Sequence, residues 1–254
     1  MRKYGQHFLI NERIIDAIVE AVPAAAQNVV EIGPGRGALT QKLLEKNVAS
    51  FTAVEIDPQM QAYLLAHFPA LQGKVMLADF LRFDIGRLLQ KPTFFVSNLP
   101  YIDAAEILDK VLSWPYFSGA VFMFQKEQAQ RILASAGAEG YGPLSILTQL
   151  RAQPRLLLRV GKACFNPPPK VESMVLTFEK RESLLSAQQY PRFARLVKAA
   201  FAHKRKTLYN SLVLSGYDKA KTAEALAQAA VKPAARAQEI TLEKFLQLHA
   251  LFIS

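Results

Sequence analysis

The sequence predicts an α/β protein, a parallel sheet flanked by helices, with a small helical domain at its C-terminal end. Three observations carry that expectation. Short runs rich in Val, Phe and Ile alternate with segments of helical periodicity through the first part of the chain. A glycine-rich turn, Gly33-Pro34-Gly35-Arg36-Gly37, follows the first of those runs. From about residue 191 strand signals cease, while apolar residues keep helical spacing at Phe193, Leu196, Val197, Ala200, Phe201, Leu208 and Leu212.

Taken in order, Val29–Ile32, Phe51–Val54, Val75–Leu77, Phe94–Ser97 and Ala120–Phe124 are too short for helices and read as buried strands. Between them, Leu39–Glu45, Gln59–Phe68 and Ala104–Leu112 place apolar residues at helical spacing. Asp57-Pro58 supplies the second with an N-cap and a first-turn proline. This alternation implies βαβ units and a parallel sheet. Two later runs, around Leu156–Val160 and Met174–Phe178, have no helix-length segment between them, which predicts an antiparallel addition at one edge.

The 254 residues are 51% hydrophobic and 20% charged, which supports a sizeable core and argues against disorder. The net charge of +10 is uneven. Residues 1–183 hold 20 basic and 17 acidic side chains, whereas residues 184–254 hold 11 basic and 4 acidic. That shift and the polar stretch Ser183–Pro191 place a boundary near 184, giving domains 1–183 and 184–254. The basic tail points to a polyanionic partner. A single cysteine, Cys164, and four scattered histidines allow neither an intramolecular disulfide nor a thiolate zinc site. With no signal-like segment and no membrane-length apolar run, the expectation is a cytoplasmic protein without a metal or a membrane partner.

The glycine loop is the most informative stretch. Glycines permit a tight turn and close ligand approach, and the helix that follows offers free backbone N–H groups. The spacing is G-x-G-x-G, not the G-x-G-x-x-G of nicotinamide enzymes, which argues against a nicotinamide oxidoreductase. Glu31, just ahead of the loop, is expected to repel a diphosphate and to suit a cationic ligand. At the end of the second strand, Glu55 can accept both hydroxyls of a ribose. At the end of the third, Asp79 can accept from an adenine amine, and Phe80 can pack on the purine. Three such groups at successive strand ends describe an adenosine site without phosphates, which S-adenosylmethionine fits.

The fourth strand leads into Asn98-Leu99-Pro100-Tyr101. An adenine exocyclic amine is a poor nucleophile because its lone pair is delocalised into the ring. The Asn98 side-chain carbonyl and a backbone carbonyl at Leu99 or Pro100 can each accept one of its N–H groups, drawing the nitrogen toward tetrahedral geometry. Tyr101 can stack on the base. These four residues are the candidate catalytic group.

With these motifs in place, the chain resembles the small-subunit (16S) ribosomal RNA adenine N6,N6-dimethyltransferases of the KsgA type. The resemblance rests on Gly5-Gln6-His7-Phe8-Leu9, on the glycine loop with Glu31, on Glu55-Ile56-Asp57, Asp79-Phe80 and Asn98–Tyr101. It continues through Gln125-Lys126-Glu127, Tyr141–Ser145, Phe165–Ser173 and the basic helix from Ala200 to Leu208. It implies a Rossmann-like class I S-adenosylmethionine-dependent methyltransferase sheet and a monomer. Cofactor contacts are implied at His7, Leu9, Gly33, Glu55, Asp79 and Asn98. The implied substrate is two adjacent adenosines near the 3′ end of 16S rRNA within the small (30S) subunit. Phe165 is the candidate for a second aromatic face on the target base, and Lys204, Arg205 and Lys206 are candidates for phosphate contacts, with Arg36 and Lys170 as weaker ones. Two other function classes remain open at this point. One is a non-catalytic assembly factor. The other is a DNA adenine methyltransferase, whose usual Asp/Asn-Pro-Pro-Tyr motif this chain lacks because of Leu99.

Overall fold

A computed structural model describes residues 7–46, 48–84, 86, 90–182 and 184–253. Gly5 and Gln6 of the first motif, and Ser183 at the expected boundary, lie outside the described residues. In chain order the elements begin with β1 (Phe8–Leu9), α1 (Glu12–Glu20), β2 (Asn28–Ile32), α2 (Ala38–Glu45), β3 (Phe51–Glu55) and α3 (Pro58–His67). They continue with β4 (Val75–Leu77), β5 (Thr93–Asn98), α4 (Ala104–Leu112), β6 (Phe117–Gln125), α5 (Lys126–Leu133) and α6 (Pro143–Arg151). Then come β7 (Ala152–Val160), β8 (Phe165–Asn166), β9 (Ser173–Lys180), α7 (Tyr190–Phe201), α8 (Leu208–Leu214), α9 (Lys219–Gln228) and α10 (Leu242–Ile253).

The chain forms two compact units, Met1–Ala129 with Ala152–Lys180, and Gln130–Arg151 with Arg181–Ser254. The first unit carries a seven-stranded sheet of order β4-β3-β2-β5-β6-β9-β7. Strands β4 through β6 are parallel, and β9 pairs antiparallel with both β6 and β7. The late runs are thus an antiparallel edge, as the sequence predicts. The parallel strands are apolar on both faces because both are covered; every residue of β2 is buried. Val29, Val96 and Val121 from adjacent strands pack with Leu43 and Leu64 from α2 and α3. Asp57 caps α3 by accepting the Gln59 N–H, with Pro58 in the first turn. A second ladder of two strands, β1 and β8, runs antiparallel and pairs Leu9 with Phe165.

The second unit differs from the expected domain, because it also takes residues 130–151. The reason lies in its core: Tyr141, Ile146 and Leu150 are buried with Phe193, Leu196, Leu212 and Phe245. The Tyr141 hydroxyl also donates to the Ile240 carbonyl at 2.9 Å. Proximity along the chain suggested the first domain, but burial assigns these residues to the second. The basic segment also departs from expectation. His203–Lys206 forms a turn between α7 and α8, closed by the Lys206 N–H on the His203 carbonyl at 2.9 Å, not a helix. Thr207 caps α8 by accepting from the Asn210 N–H, so the helix starts only after the charges.

Candidate active site

In an open parallel sheet, the strand ends beside a reversal of strand order leave a crevice. Here β2 is central, flanked by β3 on one side and β5 on the other, and the crevice opens at their carboxyl ends. A cavity of about 240 Å³ lies there, lined by His7–Ile10, the glycine loop, Glu31, Glu55, Asn98–Tyr101 and Asn166.

The glycine loop adopts a conformation that side chains resist. Gly37 has φ +83°, and a Cβ there would sit 2.6 Å from the Phe68 ring. Gly33 has φ +64° with nothing within 4 Å of where its Cβ would point, so its backbone stands open to the cavity. Glu55 holds the loop from the next strand, accepting the Gly35 N–H at 3.0 Å and the Asp57 N–H at 2.9 Å. Burial pushes its carboxyl above the ordinary range, and those backbone N–H groups pull it back.

Glu31 is 1% exposed and accepts the Thr40 hydroxyl at 2.6 Å. Burial is the main cause that pushes its carboxyl up to about 8, opposed by the Thr40 bond and reinforced by nearby Glu55. It is therefore largely protonated at neutral pH. The charge expected there to repel a diphosphate is mostly absent, because the carboxyl is buried.

At the end of β5, Asn98 donates from Nδ2 to the His7 carbonyl at 3.2 Å. Leu99 is 2% exposed, so its side chain belongs to the core and only its backbone is left for chemistry. Pro100 is exposed, and Tyr101 bonds through Oη to Ser173 Oγ at 2.9 Å. The His7 and Tyr101 rings stack with centroids 6.1 Å apart, and His7 Nδ1 pairs with the Pro167 carbonyl at 2.9 Å. Burial raises the Tyr101 phenol above its ordinary value, against the Ser173 bond.

Of the sequence-derived residues, the cavity gathers His7, Leu9, Gly33, Glu55 and Asn98 through Tyr101. Asp79 lies beyond its lining, at the end of β4, where Oδ1 accepts the Leu81 N–H at 2.9 Å and Oδ2 is 3.6 Å from Arg82. Phe80 is 5% exposed and meets Phe95 edge-on, a core position and not a face for a purine. Phe165 requires the same correction. It is 3% exposed within the core, so its ring offers no second face to a base. The physical reason is strand alternation: with Phe165 inward, its neighbour Asn166 lines the cavity. Arg36 lies over the Phe8 ring, 4.6 Å from its centroid. Lys204, Arg205 and Lys206 are exposed and belong to the other unit.

Sequence reasoning did not single out Lys110 or Thr40, and took Asn166 and Ser173 only as members of the Phe165–Ser173 motif. Lys110 Nζ donates to the carbonyls of Phe80, Leu81 and Phe83 at 2.6, 2.9 and 2.6 Å, clamping the segment that carries Asp79. Among the described residues, no group of three or more His, Cys, Asp or Glu could hold a metal ion, and no helix is long and apolar enough to cross a membrane.

Comparison with known proteins gives a consistent picture. Residues 1–253 match the family model described as Ribosomal RNA adenine dimethylase. The chain is 39% identical over 98% of its length to Ribosomal RNA small subunit methyltransferase A of Syntrophotalea carbinolica, covering 96% of that protein. To the protein of the same name from Saccharophagus degradans it is 37% identical, over 97% of this chain and 92% of that one. Among solved structures, a dimethyladenosine transferase from Plasmodium falciparum superposes with a TM-score of 0.80 at 26% identity, over 95% of this chain and 96% of that one. The 23S rRNA methyltransferase ErmE superposes with a TM-score of 0.73 at 27% identity, over 97% of this chain and all of that one (100%).

Proposed function

The chain belongs to the ribosomal RNA adenine dimethylase family, and from that premise we propose that the cavity at the ends of β2, β3 and β5 holds S-adenosylmethionine beside the target adenine. The protein is an rRNA adenine N6,N6-dimethyltransferase that acts on small-subunit (16S) ribosomal RNA. Its residues fit the cofactor. Glu55 presents a carboxylate for a ribose diol, Gly33 leaves its backbone open, and Glu31 can surrender its proton beside a cation. We assign cofactor contacts to His7, Leu9, Gly33, Glu55 and Asn98, with Asp79 reaching the adenine edge from the end of β4.

When bound, S-adenosylmethionine supplies an electrophilic methyl group. The chain prepares the nucleophile. The single observation that carries the reading is the bond from Asn98 Nδ2 to the His7 carbonyl, which leaves Oδ1 as the atom to accept an adenine N–H. A backbone carbonyl at Leu99 or Pro100 takes the second N–H. The amine nitrogen then moves toward tetrahedral geometry and directs its lone pair at the methyl group. Tyr101, held by Ser173, stacks on a base drawn out of its helix. A methylated adenine ammonium is strongly acidic, so the proton passes to water and no side-chain base is needed.

In this reading Lys204, Arg205 and Lys206 touch rRNA phosphates, and the enzyme works as a monomer on the 30S subunit in the cytoplasm. The test is transfer of labelled methyl from S-adenosylmethionine to undermethylated small subunits. DNA, 23S rRNA and a nicotinamide cofactor serve as controls. Incorporation of dimethyladenosine into 16S rRNA alone is expected; labelling of 23S rRNA or DNA instead would contradict it.

A further inference from the structure

We propose that the cavity lined by α7, α9 and α10 in the helical unit is a second RNA site, which takes one nucleotide of a single strand by its phosphate. This rests on the reading of an RNA substrate, but on none of the residues assigned to it above.

The cavity measures about 560 Å³ and brings together Arg192, Arg195, Lys221, Tyr217, His249 and Phe252. Arg192 and Arg195 are three residues apart on α7 and so lie on one face, and Lys221 sits in the first turn of α9. Three cations therefore line one concavity, with the Arg195 guanidinium hydrogen-bonded to the Tyr217 hydroxyl beside it. Among the described residues, none of the three is in an ion pair with a carboxylate. Asp218 also lines the cavity, but its Oδ1 is engaged as the cap of α9, accepting the Lys221 N–H at 2.9 Å.

A second observation is independent of the charges. His249 is 3% exposed, lines the same cavity, and has a buried Nε2 without a hydrogen-bond partner. Buried polar atoms are rarely left so, and a ligand oxygen entering the hollow would meet this one once the side chains over it shift. Burial, with the Arg192 charge second, holds the imidazole below its ordinary pKa.

The shape favours a nucleotide over an acidic peptide. Tyr217 and Phe252 pack edge to face, 5.0 Å between centroids, and give the cavity an aromatic floor. Guanidiniums grip phosphate in a planar fork, and aromatic rings take a base without regard to its identity. An acidic peptide would use the cations and leave the rings idle.

The experiment uses the full chain and a hexamer of uridine carrying one 4-thiouridine. In the Arg192→Gln/Lys221→Gln variant, hexamer affinity should fall about tenfold or more, and its salt dependence should flatten by about 0.7 per contact removed. Irradiation of the wild type should cross-link Tyr217 or Phe252. Unchanged melting temperature and S-adenosylmethionine affinity show that the variant is folded. Equal affinity and salt slope in the variant would overturn the proposal. So would cross-links confined to other segments, or displacement by hexaglutamate as effective as by unlabelled hexamer. Loss of methyl transfer by the wild type would instead bear on the catalytic reading, because the hexamer assay involves no methyl group.

Discussion

The side-chain amide of Asn98 donates to the backbone carbonyl of His7 across 3.2 Å. That bond joins the end of β5 to the segment that leads into β1. The same N-terminal segment is held on its other side by the β1–β8 ladder and by His7 Nδ1 on the Pro167 carbonyl. Asn98 is thereby oriented before any ligand arrives, which is the preorganisation that polar catalysis needs.

Tyr101 and Ser173 share one hydrogen bond, and mutating either should have the same effect. Tyr101→Phe and Ser173→Ala should each slow methyl transfer about fivefold, the value of about 1 kcal/mol for a neutral bond. The double variant should be no slower than either single one. Tyr101→Ala, which also removes the stacking ring, should lose far more. A Phe variant as inactive as the Ala variant would make the hydroxyl the reacting group and remove stacking as the role.

Lys110 should act as a positioning residue. With three carbonyls on one ammonium, Lys110→Met releases the 80–83 backbone. Cofactor affinity should drop about tenfold, as for one lost charged bond, with turnover at saturating S-adenosylmethionine near normal. Amides in that segment should exchange faster. A fall in kcat alone, with protection unchanged, would contradict this assignment.

Glu31 makes stability pH-dependent with a definite sign. Its carboxyl titrates at about 8 in the folded chain against 4.5 for a free one. The folded state thus holds the proton that the unfolded state releases, and this group's contribution declines as pH rises from about 4.5 to about 8. Glu31→Gln keeps a neutral acceptor for Thr40 at every pH. Its melting temperature should match the wild type near pH 4 and exceed it increasingly up to pH 8. A constant difference across that range would show that Glu31 is not the titrating group.

The strand ends were legible because short β-branched and aromatic runs closed by glycine or proline have few other structures available. Glu55 and Asn98 follow from that, since each is the last residue of its strand. Phe165 shows where such reading stops. A one-residue choice of face exchanges core and cavity, and only the packing of Phe165 among core residues settles it. Residues 130–151 were misassigned because periodicity reveals an apolar face but not the core that receives it. Lys110 leaves no trace in the sequence, because its partners are carbonyls, which every residue has.

The most direct test of the account is methyl transfer to undermethylated small subunits by Asn98→Ala at saturating S-adenosylmethionine. Loss of one preorganised polar contact to the reacting amine should cut the rate by about 10²-fold or more. Subunit binding should remain, because the proposed phosphate contacts, Lys204, Arg205 and Lys206, belong to the other unit. Full dimethylation at the wild-type rate would contradict the assignment of Asn98 to the reacting amine.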